Sequence, residues 1–110
     1  MPMDEAKRLA DKLRGSEEYR AYVETKKAAY ENPSTAALLD EFDKLRREAQ
    51  VRAVTGETDD LSEHKLQKLG ELLQFDAAAA AYLMAEYRLN ALMSDVFALL
   101  AEAVGWNLNG

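Results

Sequence analysis

The chain has 110 residues, 48% of them hydrophobic and 31% charged, with no cysteine and a formal net charge of −6. That length predicts a single domain over residues 1–110, built around one core. The missing cysteine excludes disulfides, thiolate metal sites and cysteine nucleophiles. The acidic balance opposes a phosphate backbone and argues against direct nucleic-acid binding. The best basic patch, Lys44, Arg46, Arg47 and Arg52, is interleaved with Asp40, Asp43 and Glu48. Abundant Ala, Leu, Glu, Lys and Arg beside five Gly and two Pro is the composition of an all-α protein.

In chain order, residues 3–14 place Ala6, Leu9, Ala10 and Leu13 at helical spacing, with acids in the opening turn. Gly15-Ser16 interrupts, and Ser16 is placed to cap a second helix that runs to about Tyr30. Tyr19, Tyr22 and Tyr30 share one side of it, in a pattern that buries rings and leaves hydroxyls wet, or that forms a recognition patch. Asn32 before Pro33 reads as N-cap and first turn of a helix over residues 33–54, with Leu38, Phe42, Leu45 and Ala49 inward. Its outward face carries the acid-first pairs Asp40–Lys44, Asp43–Arg47 and Glu48–Arg52 together with Glu41. Residues 55–60, TGETDD, form a loop. Asp60 with Glu63 then predicts a capping box for a helix over 61–74, with Leu61, Leu66, Leu69 and Leu73 inward. Asp76 caps a last helix over 77–104, and Gly105 ends it with Trp106 folding back onto Leu100 and Ala101.

The last helix carries two apolar stripes. One runs Tyr82, Ala85, Leu89, Leu92, Val96, Leu99 and Ala103; the other runs Leu83, Met93, Phe97, Leu100 and Val104. At about 42 Å the helix exceeds the roughly 34 Å diameter that this chain length implies for a compact domain. Four shorter segments hardly cover both sides of such a rod, so the pattern predicts an antiparallel helical bundle of about five helices that self-associates. The competing reading is an elongated monomer with an unusually apolar helix. Tyr82, Leu89, Leu92, Met93, Val96, Phe97 and Leu99 are the predicted oligomer interface. Glu86 and Asn90, one turn apart inside the second stripe, are read as polar residues that fix register, or that meet a partner protein.

Little in the sequence advertises chemistry. His64 is the only histidine and sits in the charged run SEHKLQK, as a surface residue does. The Asp59-Asp60 and Glu17-Glu18 doublets are explained as helix starts. There is no glycine-rich phosphate loop, no nucleophile elbow and no Glu-x-x-His pair for a metal. No enzymatic activity and no cofactor are expected. The first thirteen residues lack the apolar core of a signal peptide, and Glu86, Arg88, Asp95 and Glu102 rule against residues 77–104 as a membrane span, so a cytoplasmic protein is expected.

Several stretches together resemble the YlbF/YmcA family of small bacterial regulators, in its YheA-like branch. The residues that carry the resemblance are Ala6, Leu9 and Leu13, then Ser16 to Tyr19 with Tyr22 and Glu31 to Pro33. Leu39, Phe42 and Gln50 follow, and last Tyr82 to Val96. The resemblance implies an all-helical fold that self-associates without enzymatic activity. It further implies a regulatory role of the kind its characterised members play in sporulation, competence and biofilm control, in association with RNA-processing machinery. The iron–sulfur clusters that some members hold through cysteines do not carry over to a chain without cysteine. The function that follows is a non-enzymatic regulator or adaptor that contacts its own copies and another regulatory protein. A structural or holdase-like helical oligomer is the alternative, and a small-molecule-binding bundle the third reading.

Overall fold

A computed structural model of the chain describes residues 1–106; the last four residues of the expected domain lie outside the described ones. Five helices follow one another: α1 (Pro2–Arg14), α2 (Glu17–Tyr30), α3 (Pro33–Thr55), α4 (Asp60–Gln74) and α5 (Ala77–Ala103). There is no strand among the described residues, and the fold is all-α with bundle-like packing.

Local chemistry sets the boundaries. Ser16 Oγ accepts from the Tyr19 N–H at 3.1 Å and donates to the Leu13 carbonyl at 2.6 Å, so one side chain closes α1 and opens α2. Asn32 Oδ1 accepts from the Ser34 and Thr35 N–H groups at 2.9 and 3.3 Å, ahead of Pro33. Gly56, in the left-handed region at φ 78°, terminates α3 with its N–H on the Arg52 carbonyl. The cap of α4 is Asp59, one residue before the predicted Asp60: Asp59 Oδ1 accepts from the Ser62 N–H at 3.1 Å and Oδ2 from the Ser62 hydroxyl at 2.9 Å. That earlier start leaves Leu61 in the first turn, 74% exposed and not inward as its spacing predicts.

The chain divides into two compact units, residues 25–82 and residues 1–24 with the chain from Leu83 onward. The unit 25–82 holds most of the buried side chains among the described residues: Ala29, Thr35, Leu39, Leu45, Leu73, Ala79 and Tyr82. The face of α3 is therefore rotated from the predicted one. Thr35, Leu39 and Leu45 are buried, while Leu38, Phe42 and Ala49 are half-buried. α3 and α4 run antiparallel, since Thr35 meets Asp76 and Phe42 meets Gly70, pairs whose numbers rise on one helix as they fall on the other. A Cβ on Gly70 would lie 3.4 Å from the Phe42 ring, a close but ordinary contact, so the ring packs directly against α4 at this position. Tyr30 and Tyr82 meet edge to face at 6.0 Å, and the Tyr30 hydroxyl donates to Asp40 at 3.0 Å.

In the other unit the buried side chains are Ala85 and Ala101, and α1 buries none fully; Leu9 and Leu13 are half-buried.

A long-range polar tie joins two helix starts: Thr35 Oγ1 donates to Asp76 Oδ2 at 2.5 Å, while Asp76 Oδ1 accepts from the Ala79 N–H at 3.1 Å to cap α5. The Thr35 hydroxyl first, and the Ala79 amide after it, hold the Asp76 carboxyl below the ordinary aspartate range. A carboxylate so depressed stabilises the fold fully above the unfolded-state value, and that stabilisation is lost as pH falls through the folded-state value. Thr35→Val should therefore lower the denaturant midpoint at neutral pH and make the acid limb of stability shallower. Urea titrations over a series of acidic buffers measure both. Identical acid limbs for variant and parent would show that the hydroxyl does not hold the charge.

Candidate functional site

The most developed surface of the protein is the C-terminal half of α5. Met93, Phe97, Leu100 and Val104 recur at i, i+4, i+7 and i+11, which puts them on one face, and Leu99 and Trp106 flank them. These six side chains are between 45% and 76% exposed. The helix ends in a two-bond C-terminal motif: the Trp106 N–H donates to the Ala101 carbonyl at 2.8 Å and the Gly105 N–H to the Glu102 carbonyl at 3.1 Å, with Gly105 at φ 67°. The backbone of Trp106 thus covers Ala101 as its position predicts. Its ring lies edge-on to Phe97 at 5.9 Å and 61°. The two rings enlarge the apolar face at its end.

The predicted interface residues fall into three groups. Tyr82 is buried against Tyr30 inside the unit 25–82, so it offers no surface in the single chain. Leu89, Leu92 and Val96 are half-buried. Met93, Phe97 and Leu99 are exposed. Of the polar pair, Glu86 is half-buried and Asn90 exposed. Spacing alone placed all seven apolar residues together because two adjacent stripes on one helix both read as continuous.

Elsewhere two cations of the predicted basic patch, Arg46 and Arg47, are engaged by their own helix, whereas two buried nitrogens of Arg52 have no hydrogen-bond partner among the described residues. Arg46 and Arg47 both pair with Asp43, and the Arg46 guanidinium stacks 4.9 Å from the Phe42 ring centre. Near the α3–α4 loop, an open cleft of about 670 Å³ is lined by Arg52 and by Glu48, Glu57, Asp59 and Asp60. The Ser62 amide and hydroxyl, and more weakly the Arg52 charge, hold the Asp59 carboxyl below its ordinary range. His64 lies in a second groove, between α3 and α4, beside Lys65 and Lys68. Among the described residues no three His, Cys, Asp or Glu side chains come together to hold a metal ion. No helix among them is long and apolar enough to cross a membrane.

Fold and surface together define a small all-helical protein with an exposed apolar helix face. Residues 3–105 match the family described as "Control of competence regulator ComK, YlbF/YmcA", and the chain belongs to the YlbF/YmcA family. Among curated proteins it is similar to a UPF0342 protein of Symbiobacterium thermophilum, 32% identical over 106 residues that cover 96% of this chain and 95% of the relative. A UPF0342 protein of Halothermothrix orenii is 32% identical over 98 residues, covering 88% and 83%. One from Desulfitobacterium hafniense is 26% identical over 100 residues, covering 90% and 81%.

Gly105 provides a check on the cap that carries Trp106. Nothing lies within 4 Å of a Cβ built there, so Gly105→Ala meets no steric obstacle and is opposed by its positive φ alone. The substitution should cost about 1 kcal/mol in equilibrium denaturation. A neutral result would show that the turn re-forms without the left-handed residue.

Proposed function

We propose that this chain is a non-enzymatic, cytoplasmic regulatory or adaptor protein that acts by protein–protein contact as a helical homo-oligomer. The observation that supports it is the imbalance in the unit containing the C-terminal half of α5. Among its described residues the buried side chains are two alanines, while Met93, Phe97, Leu99, Leu100, Val104 and Trp106 stay exposed. Burying a large apolar side chain is worth about 1.5–3 kcal/mol. Four such residues from each of two copies give a gain of the same order as the roughly 4–15 kcal/mol cost of association. The regulatory half of the proposal rests on the family, whose description concerns control of a competence regulator.

A holdase-like role is the second reading. Met84 and Met93 are both exposed, and thioether side chains adapt to varied apolar partners. The two readings separate on specificity, since an adaptor takes one stoichiometric partner and a holdase takes many.

Trp106 is the only tryptophan and therefore a built-in reporter. Light scattering should give a mass above the 12.3 kDa of one chain. Dilution should shift Trp106 emission to the red as the face becomes wet. Phe97→Asp, at an exposed position, should dissociate the oligomer and leave helicity intact, whereas Leu92→Asp, half-buried, should dissociate and partly unfold it, by several kcal/mol. Glu41→Gln on α3 should leave the mass unchanged. A wild-type mass of one chain at high concentration would refute the proposal.

Glu86 and Asn90 supply a further test of the same seam. Replacing both with Leu should keep or raise the melting temperature while broadening the oligomer distribution, because polar residues in helical seams specify register at some cost in stability. A single unchanged species would place the pair outside the seam.

A further inference from the structure

The α5 face holds one side chain whose polarity a simple reaction changes. The chain has four methionines and no cysteine, so thioethers carry all of its sulfur. Met1 and Met3 lie at the start of the chain and are both exposed. Met84 and Met93 lie on α5, at 53% and 45% exposure, so the single chain leaves them about equally open to a small oxidant. Their positions differ. Met93 shares its face with Phe97, Leu100 and Val104. Met84 comes nine residues earlier, about two and a half turns, which puts it on the opposite side of the helix.

A thioether is unbranched and apolar, and it fills an apolar seam without needing a hydrogen bond. Its sulfoxide is polar, and a polar group enclosed without a partner is costly. The side chains that follow Met93 on the face offer it nothing. Phe97, one turn on, already meets the Trp106 ring, and neither it nor Leu100 nor Val104 carries a hydrogen-bond donor.

We propose that Met93 is an oxidation-controlled switch for self-association: a peroxide converts its thioether to the sulfoxide, and a chain so modified no longer closes its α5 face against a second copy. In the forward step a sulfur lone pair attacks one peroxide oxygen and the O–O bond breaks. The sulfur gives up two electrons, and the other oxygen leaves as water after a proton shift. A methionine sulfoxide reductase supplied with a dithiol reverses it: the sulfoxide oxygen leaves as water and the two thiols become a disulfide. The inference rests on the homo-oligomer reading and adds a control to the same face. An assembly that covers Met93 shields it, so oxidation draws on dissociated chains and then holds them apart, whereas Met84 reacts in either state.

The test treats the full chain with hydrogen peroxide. Peptide mass spectrometry follows the sulfoxide at each methionine, with trypsin separating Met84 from Met93 at Arg88, and light scattering follows the assembly. Met93 should react more slowly as protein concentration rises, while Met84 keeps its rate. The mass should fall toward that of one chain in step with Met93 sulfoxide, with the dissociation constant raised roughly tenfold or more and helicity unchanged by circular dichroism. Met93→Leu should keep its assembly through the same treatment, and Met84→Leu should lose it as the wild type does. Met93→Gln, an uncharged polar stand-in, should be dissociated before any oxidant is added. Reductase with dithiothreitol should restore the wild-type mass. An untreated chain that is already a single copy would refute the oligomer reading and the switch together. An assembly that survives full oxidation of Met93, or that Met93→Leu still loses on treatment, would overturn the switch alone.

Discussion

The hydrogen bond from Thr35 to Asp76 joins the first turn of α3 to the cap of α5, forty-one residues apart in sequence. It is a polar tie in an otherwise apolar region, and it is short because the acceptor is ionised. Everything in the unit 25–82 is built out from it. With the two helix starts pinned, Leu39, Leu73, Ala79 and Tyr82 close over the same interior, and the Tyr30 ring has a fixed wall to stand against. Without it, Thr35 would leave a buried hydroxyl to be satisfied, and α5 would keep its cap but lose its anchor to α3.

That anchor also determines which faces remain uncovered. Once α3 has turned Thr35, Leu39 and Leu45 inward, α4 meets it at Gly70 against Phe42 and at Leu69 beside Leu45, with Leu73 buried. Leu61 and Phe75 are then left largely exposed, and Leu72 sits at the edge of the α3–α4 groove. The same economy holds on α5, where the only residues after Tyr82 that are buried, among the described ones, are Ala85 and Ala101. A helical chain this short has too few elements to surround two apolar faces on one long helix. The two uncovered surfaces differ in kind: the α5 face is apolar from Met93 to Trp106, whereas on α4 Lys65 and Lys68 stand between Leu61 and Leu72.

Much of this was legible in the sequence, because helix ends are local events. Ser16, Asn32, Pro33, Asp76 and Gly105 each act on neighbours within a few residues, and each does what its type predicts. Asp59 and Asp60 compete for one cap, and the choice turns on which of them finds Ser62. The face of α3 was harder to read. Leu38–Phe42–Leu45–Ala49 and Thr35–Leu39–Phe42–Ala49 are both sound helical stripes, and a threonine adds nothing to an apolar count. What buries Thr35 is a carboxylate on a distant turn. The α3–α4 groove was invisible for the same reason, since its two banks come from separate helices.

α1 has a bearing on how the molecule opens. Each of its side chains is at least partly exposed, so separating it from the rest of the chain uncovers little apolar surface. Local opening free energies follow such contacts, from near zero at loosely held ends to the global value in the core. Amide protons in α1 therefore exchange through small, frequent openings, while those around Leu73 and Tyr82 wait for the whole unit to unfold. Any partner that covers Leu9 and Leu13 would slow exchange along the entire first helix, and so convert a loosely held segment into a readout of what is bound.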